Sequence, residues 1–280
     1  MRRASLGVAV LATSLFSFVV WFSLGCSTSE PVNVPAATPP PAPVPIAQLP
    51  AATVDKVLAP SPLSLEKEVR EAGLGDSLAD LIPTRPFATD IEDKDRVALR
   101  TGAVLAYTVL AGRTSAKPDF LAQLRLVRGG LQALGTGKGL LASLDGFIEQ
   151  IENDTASRDD FLQELDAVAS SMVPEQGWGE GDRTGPLVQA GAWLAGTNLV
   201  AQAVVRADKA EAADKLLRRA YVADYFLSYL DAEGAAKSGL TASALGDTLR
   251  RLSSIANQPV IGVADARSVA EVTQAMLTQL

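Results

Sequence analysis

The sequence predicts an all-α protein, with one bundle-like domain of about eight helices behind a hydrophobic amino-terminal segment and a proline-rich tether. Apolar residues recur at helical spacing through residues 61–280, and hardly any stretch alternates polar with apolar residues as a strand would. Residues that start and stop helices recur along the same region. Because 48% of the 280 residues are hydrophobic, the chain can bury a core of this size.

The predicted helices begin and end at identifiable residues. Ser61 and Pro62 supply a cap and a first-turn proline for the first helix, and Gly73 ends it. The same kind of pattern predicts helices over 90–111, from Leu121 to a stop at Gly135, after a capping box at Ser157, over 186–206, from Asp208 through Leu230, and behind caps at Thr241 and Asp265.

The helix predicted over 186–206 is expected to lie at the centre of the domain. It is nearly uncharged, and small residues recur at four-residue spacing, as in Gly191 with Ala195 and Ala192 with Gly196. Such a stripe lets neighbouring helices approach closely. Three amide side chains within the segment argue against a membrane span, so we expect a buried helix of a soluble domain.

The first 26 residues have the pattern of an export signal. Arg2 and Arg3 precede an uncharged segment over 4–25, and the chain's single cysteine, Cys26, follows directly. The segment resembles a bacterial lipoprotein signal peptide, with Gly25 and Cys26 at the lipobox junction. Two alternatives remain open. The segment is about 33 Å long as a helix, enough for an uncleaved membrane span, or Cys26 lies incidentally beside an ordinary cleavage site.

The lipoprotein resemblance implies removal of residues 1–25 and attachment of a diacylglyceryl thioether to Cys26. Fatty acids such as palmitate then anchor the chain, because each buried methylene contributes about 0.8 kcal/mol. In that family, serine rather than aspartate after the cysteine implies delivery to the outer membrane, and Ser27 occupies this position. The expected location is therefore the periplasmic side of the outer membrane, with the inner membrane as the alternative.

Residues 26–60 are predicted to form a disordered tether rich in proline and alanine. Ten of the sixteen prolines of the chain lie between positions 31 and 62. Such a segment favours extended polyproline II structure, and about 30 residues would reach on the order of 90 Å. A passive spacer is the favoured interpretation, and a docking motif for a proline-recognition domain is the alternative.

Composition excludes several functions. The chain has no histidine and one cysteine, which excludes a histidine-based triad, a His or Cys zinc site and an intramolecular disulfide. A net charge of −7 argues against nucleic acid as a partner. We therefore expect no metal and no cofactor.

Two features are candidate ligand sites. Trp178 lies in a glycine-rich acidic loop over 175–183, where it would cover a pocket or cap the core. Tyr221, Tyr225 and Tyr229 recur every four residues and form one stripe of a helix, either an edge of the core or an aromatic wall for a peptide, glycan or lipid.

Two other motifs are interpreted as structural. Residues 135–139 contain glycines and a lysine but lack the spacing of a phosphate loop, and they are predicted to form an interhelix turn. Asp159 and Asp160, with Glu164, are expected in a first helical turn because the helix macrodipole favours negative charge there.

Several longer motifs resemble a helical family found in envelope proteins of other bacteria. They are residues 61–66, 71–73, 100–106 and 192–196. The resemblance covers roughly positions 61–206. It implies a helical fold in the cell envelope and transfers no catalytic residue, because that family has no assigned activity.

These observations predict a lipid-anchored envelope protein whose helical domain binds or scaffolds a protein or polymer partner. The absence of histidine and of a convergent polar motif favours binding over catalysis. Two alternatives remain: a carboxylate-dependent enzyme acting on envelope polymers, and a binding protein for a small apolar ligand.

Overall fold

A computed structural model describes residues 59–83, 93–171, 184–232 and 239–280. The predicted signal segment, Cys26, the tether up to residue 58 and Trp178 lie outside the described residues.

The described residues form ten α-helices and two short 3₁₀ turns, and no strand occurs among them, which confirms the all-α prediction. The helices are α1 (Pro62–Glu71), α2 (Lys94–Ala111), α3 (Lys117–Ala133), α4 (Lys138–Glu152), α5 (Arg158–Ser171), α6 (Thr184–Ala207), α7 (Ala210–Leu217), α8 (Ala220–Ala232), α9 (Leu240–Ala256) and α10 (Val263–Leu277). The 3₁₀ turns, Gly75–Ser77 and Ala79–Leu81, follow α1.

Helices α2 and α6 form the centre of the domain, and α6 is the buried helix that the sequence predicts. Most residues of both helices are buried. Gly102 and Gly191 lie where the two backbones touch, because a β-carbon on Gly102 would overlap the carbonyl of Val188 and one on Gly191 would overlap the carbonyl of Leu99. Within the described residues, no helix is both long and apolar enough to cross a bilayer.

A buried polar pair joins α6 to α10. Asn198 is fully buried and donates to the hydroxyl of Thr273 at 2.9 Å and to the carbonyl of Ala270 at 3.0 Å. The Thr273 hydroxyl in turn donates to the carbonyl of Val269 at 2.7 Å. Because buried polar groups are costly when unpaired, this network fixes the register of the two helices.

Surface ion pairs hold α3 against α4. The pairs are Lys117 with Asp154, Arg125 with Glu152, and Arg128 with Asp145. The last is bidentate, with nitrogen–oxygen distances of 2.7 and 2.9 Å. The predicted interhelix turn over 135–139 lies between these two helices, although Lys138 and Gly139 already belong to the first turn of α4.

The first helix is held by polar side chains from four later parts of the chain. Asp166 accepts from the backbone of Leu63 at 2.9 Å, Arg113 lies 3.6 Å from buried Glu66, Arg219 pairs with Glu68, and Lys209 donates to the carbonyls of Ala72 and Gly73 at 3.1 and 3.3 Å. The predicted start and stop of this helix are confirmed, with Ser61 as the cap and Gly73 at a φ of +68°.

The structure corrects the helix predicted over 208–230. Asp208 lies in a turn with a φ of +52°, and the segment divides into α7 and α8 at Arg218 and Arg219. The Arg218 side chain donates to the carbonyls of Gln258 and Pro259, at 2.7 and 3.0 Å. Tertiary hydrogen bonds therefore stabilise a break that local propensity does not predict. This break and the additional helix α4 raise the count above eight.

Other helix starts also differ from the predictions. Helix α2 begins at Lys94 behind the cap Asp93, and α9 begins at Leu240 behind Gly239, so Thr241 is not a cap. In α10, Gly262 precedes the first turn and Asp265 stands at its third position, where its carboxylate accepts from the Gly262 backbone at 2.9 Å. Polar side chains inside a first turn resemble caps when only the sequence is read.

Candidate functional site

The predicted tyrosine stripe lies on α8, at the boundary of the core. Tyr221 is 48% exposed, whereas Tyr225 and Tyr229 are half-buried. The ring of Tyr225 lies 5.0 Å from that of buried Phe226, measured between centroids. The stripe is therefore one face of an amphipathic helix, in which Tyr221 offers the most surface to solvent.

Trp193 lies beside this stripe, although it is not among the ligand-site residues that the sequence predicts. Trp193 of α6 contacts Phe226 with a centroid distance of 6.0 Å. Its indole Nε1 is buried and has no acceptor within the described part of the chain. Aromatic packing thus joins the α8 stripe to the central helix.

A cleft of about 340 Å³ lies where the starts of α2 and α9 meet the end of α10. The described side chains that line it are Asp93, Arg96, Thr241, Met276, Gln279 and Leu280. This lining places charged and hydroxyl groups next to the apolar side chains of Met276 and Leu280.

Asp93 fixes two walls of the cleft. One carboxylate oxygen accepts from the backbone of Asp95 at 2.9 Å and so caps α2. The other accepts from the hydroxyl of Thr241 at 2.8 Å. Thr241 therefore links α9 to α2, and the carboxylate of Asp93 serves to hold the two helix starts together.

Two arginines one helical turn apart supply positive charge at this end of α2. Arg96 lines the cleft and donates to the backbone carbonyl of Gln279. Arg100 lies on the same face of α2, and its Nη1 is buried without an acceptor among the described residues. Burial and, to a smaller degree, the charge of Arg96 lower the pKa of Arg100. Arg100 is not among the described residues that line the cleft, so the positive charge at the cleft wall is that of Arg96.

Most other arginines of the described residues are paired with carboxylates. They are Arg70 with Glu66, Arg113 with Glu66 and Asp159, Arg125 with Glu152, Arg128 with Asp145, Arg206 with Asp80, Arg218 with Asp214, Arg219 with Glu68, and Arg250 with Asp247. No carboxylate in the described ranges pairs with Arg96 or Arg100. Arg158, Arg251 and Arg267 likewise have no carboxylate partner among the described residues, and Arg158 donates instead to the carbonyls of Gly112 and Ser115.

A second cleft, of about 510 Å³, lies beside the start of α7. Its wall includes Asp208, Lys209, Glu211 and Lys215, so opposite charges alternate along it. The ammonium of Lys209 is already bonded to the carbonyls at the end of α1. This cleft is therefore a seam between helix ends with no net preference for charge.

The carboxylates with shifted pKa values serve structure. A hydrogen bond from Arg128 holds the pKa of Asp145 below its usual range. Hydrogen bonds from Arg218 and from the backbone of Ile261 do the same to the pKa of Asp214. Both groups are ionised at neutral pH and are poor proton donors for general acid catalysis.

The carboxylates of the described residues do not converge on a metal site. No group of three Asp, Glu, His or Cys side chains able to hold a metal ion occurs in the four described ranges. Asp159 lies in the first turn of α5 and pairs with Arg113. Its charge is therefore used in the contact between α5 and the end of α2.

Comparison with protein families, curated proteins and solved structures finds no match to this chain.

The sequence contains a signal for the cleft that the sequence analysis did not use. Arg96 and Arg100 stand at four-residue spacing within the helix predicted over 90–111, which places both on one face. The sequence does not show which other helices lie against this face of α2. Only the fold shows that the start of α9 and the end of α10 meet Arg96, and that the carboxylate of Asp93 accepts hydrogen bonds from Asp95 and Thr241.

Proposed function

We propose that this chain is a lipid-anchored protein of the bacterial cell envelope, whose helical domain is a binding or scaffolding module. The lipidated Cys26 holds it at the outer membrane, and the tether over 26–60 presents the domain to the periplasm. Its partner is a protein or polymer of the envelope, recognised without nucleic acid and without a cofactor.

The position of the single cysteine carries this proposal. Cys26 directly follows the uncharged segment 4–25 behind two arginines, and the proline-rich segment comes next. A lipid attachment site explains why the single cysteine of the chain stands at this junction. Stable anchoring needs two or more acyl chains, which a lipidated amino-terminal cysteine provides.

The contacts that hold α1 to the rest of the domain are an argument for the proposed tether. A force applied through residues 26–60 enters the domain at α1, which begins at Pro62. This helix is held to the rest of the domain by Asp166, Arg113, Arg219 and Lys209. A first helix fastened to several distant elements resists being pulled away from the core.

The chemistry of the described side chains favours binding over catalysis. An acid–base enzyme needs two carboxylates facing a substrate. In the 340 Å³ cleft Asp93 is the carboxylate of the described lining, and both of its oxygens accept hydrogen bonds from the protein. Arg96 also lines the cleft, and a guanidinium group donates hydrogen bonds but does not exchange protons at neutral pH.

Metabolic labelling with a palmitate analogue tests the anchor. We expect the wild-type protein to incorporate the label and to fractionate with membranes, and Cys26→Ala to do neither. Ser27→Ala keeps the thiol and is the matched control, which should label like the wild type. Equal labelling of wild type and Cys26→Ala would overturn the lipoprotein assignment.

Crosslinking in native envelopes tests the binding module. A photoreactive residue placed at Tyr221, the exposed end of the stripe, or at Gln279, in the cleft, should give discrete crosslinked species. The same residue placed at exposed Arg251 serves as the control. Identical patterns from all three positions would contradict a defined partner surface on either site.

A further inference from the structure

We draw no further inference here: the strongest candidate, the exposed apolar surface at Tyr221 of α8 and at Val260 in the loop between α9 and α10, carries nothing, because nothing in the described part of the chain shows what covers it.

Discussion

The interface between α2 and α6 and the hairpin of α3 and α4 both contain glycines inside helices, but the surroundings of these glycines differ. At Gly102 and Gly191 the neighbouring backbone occupies the space of a β-carbon. At Gly129 in α3 and Gly146 in α4 nothing lies within 4 Å of that position. The same residue type thus permits close packing in one region and leaves open surface in the other.

The difference shows how each region is stabilised. A glycine inside a helix costs about 1 kcal/mol relative to alanine, because its unfolded state is more flexible. In the α2–α6 interface, close packing of buried apolar residues offsets this cost. The hairpin also buries apolar residues such as Val127 and Ile148, and a surface ion pair such as Arg128 with Asp145 adds a smaller contribution.

The largest effect is expected for Gly102→Ala. The added methyl group would overlap the carbonyl of Val188, so α2 and α6 must separate to accept it. We expect a loss of about 3 kcal/mol in the free energy of unfolding, measured by urea denaturation. Gly146→Ala, at an open helix position, is the control and should lose nothing. An unchanged midpoint for Gly102→Ala would contradict the close contact between these backbones.

Two adjacent glycines of α3, Gly129 and Gly130, provide a second contrast, in which the expected changes in stability are smaller and opposite in sign. A β-carbon on Gly130 would overlap the side chain of Thr101, which is held by a 2.7 Å hydrogen bond to the carbonyl of Val97. We expect Gly130→Ala to destabilise the protein by about 1–2 kcal/mol. Gly129→Ala should stabilise it by about 0.5–1 kcal/mol, because the position is open and alanine favours the helix. The measurement is the thermal unfolding of both variants, and shifts of the same sign would contradict the assignment of the two faces.

The smallest effect is expected from the hairpin ion pair, and it depends on pH. The hydrogen bond from Arg128 lowers the pKa of Asp145 in the folded state. The stabilisation is therefore fully present above the unfolded-state value of about 4 and is lost as pH falls through the folded-state value.

Thermal melting as a function of pH measures this effect. Asp145→Asn should melt slightly below the wild type at neutral pH, and the difference should disappear in acid. Asp247→Asn removes a carboxylate that pairs within one helix and controls for the lost charge. A difference between wild type and Asp145→Asn that grows as pH falls would show that the hairpin does not depend on this pair.

Local chemistry explains which parts of the fold were predictable. The first helix was predictable because Ser61, Pro62 and Gly73 act through the nearest turn of backbone. The burial of α6 was predictable because its residues are apolar around the whole circumference. The break between α7 and α8 was not, since it depends on Arg218 reaching carbonyls that lie 40 and 41 positions away.

The candidate sites also differ in whether the sequence could predict them. The tyrosine stripe was predictable because a four-residue repeat defines a helix face, and the structure places Tyr221 at its exposed end. The cleft was not predictable, because its walls come from the starts of α2 and α9 and the end of α10. The predictions for Trp178 and Cys26 stay predictions, since both residues lie outside the described ranges.

The sequence by itself determined the helical class of this protein, because helical spacing, caps and stops act over a few residues. It also contains the pattern that predicts lipid attachment at Cys26. Only the tertiary structure decided which charges are used in ion pairs and which have no carboxylate partner among the described residues. The four-residue spacing of Arg96 and Arg100 places them on one helix face, but which carboxylates reach each arginine is known only when the described helices are packed together.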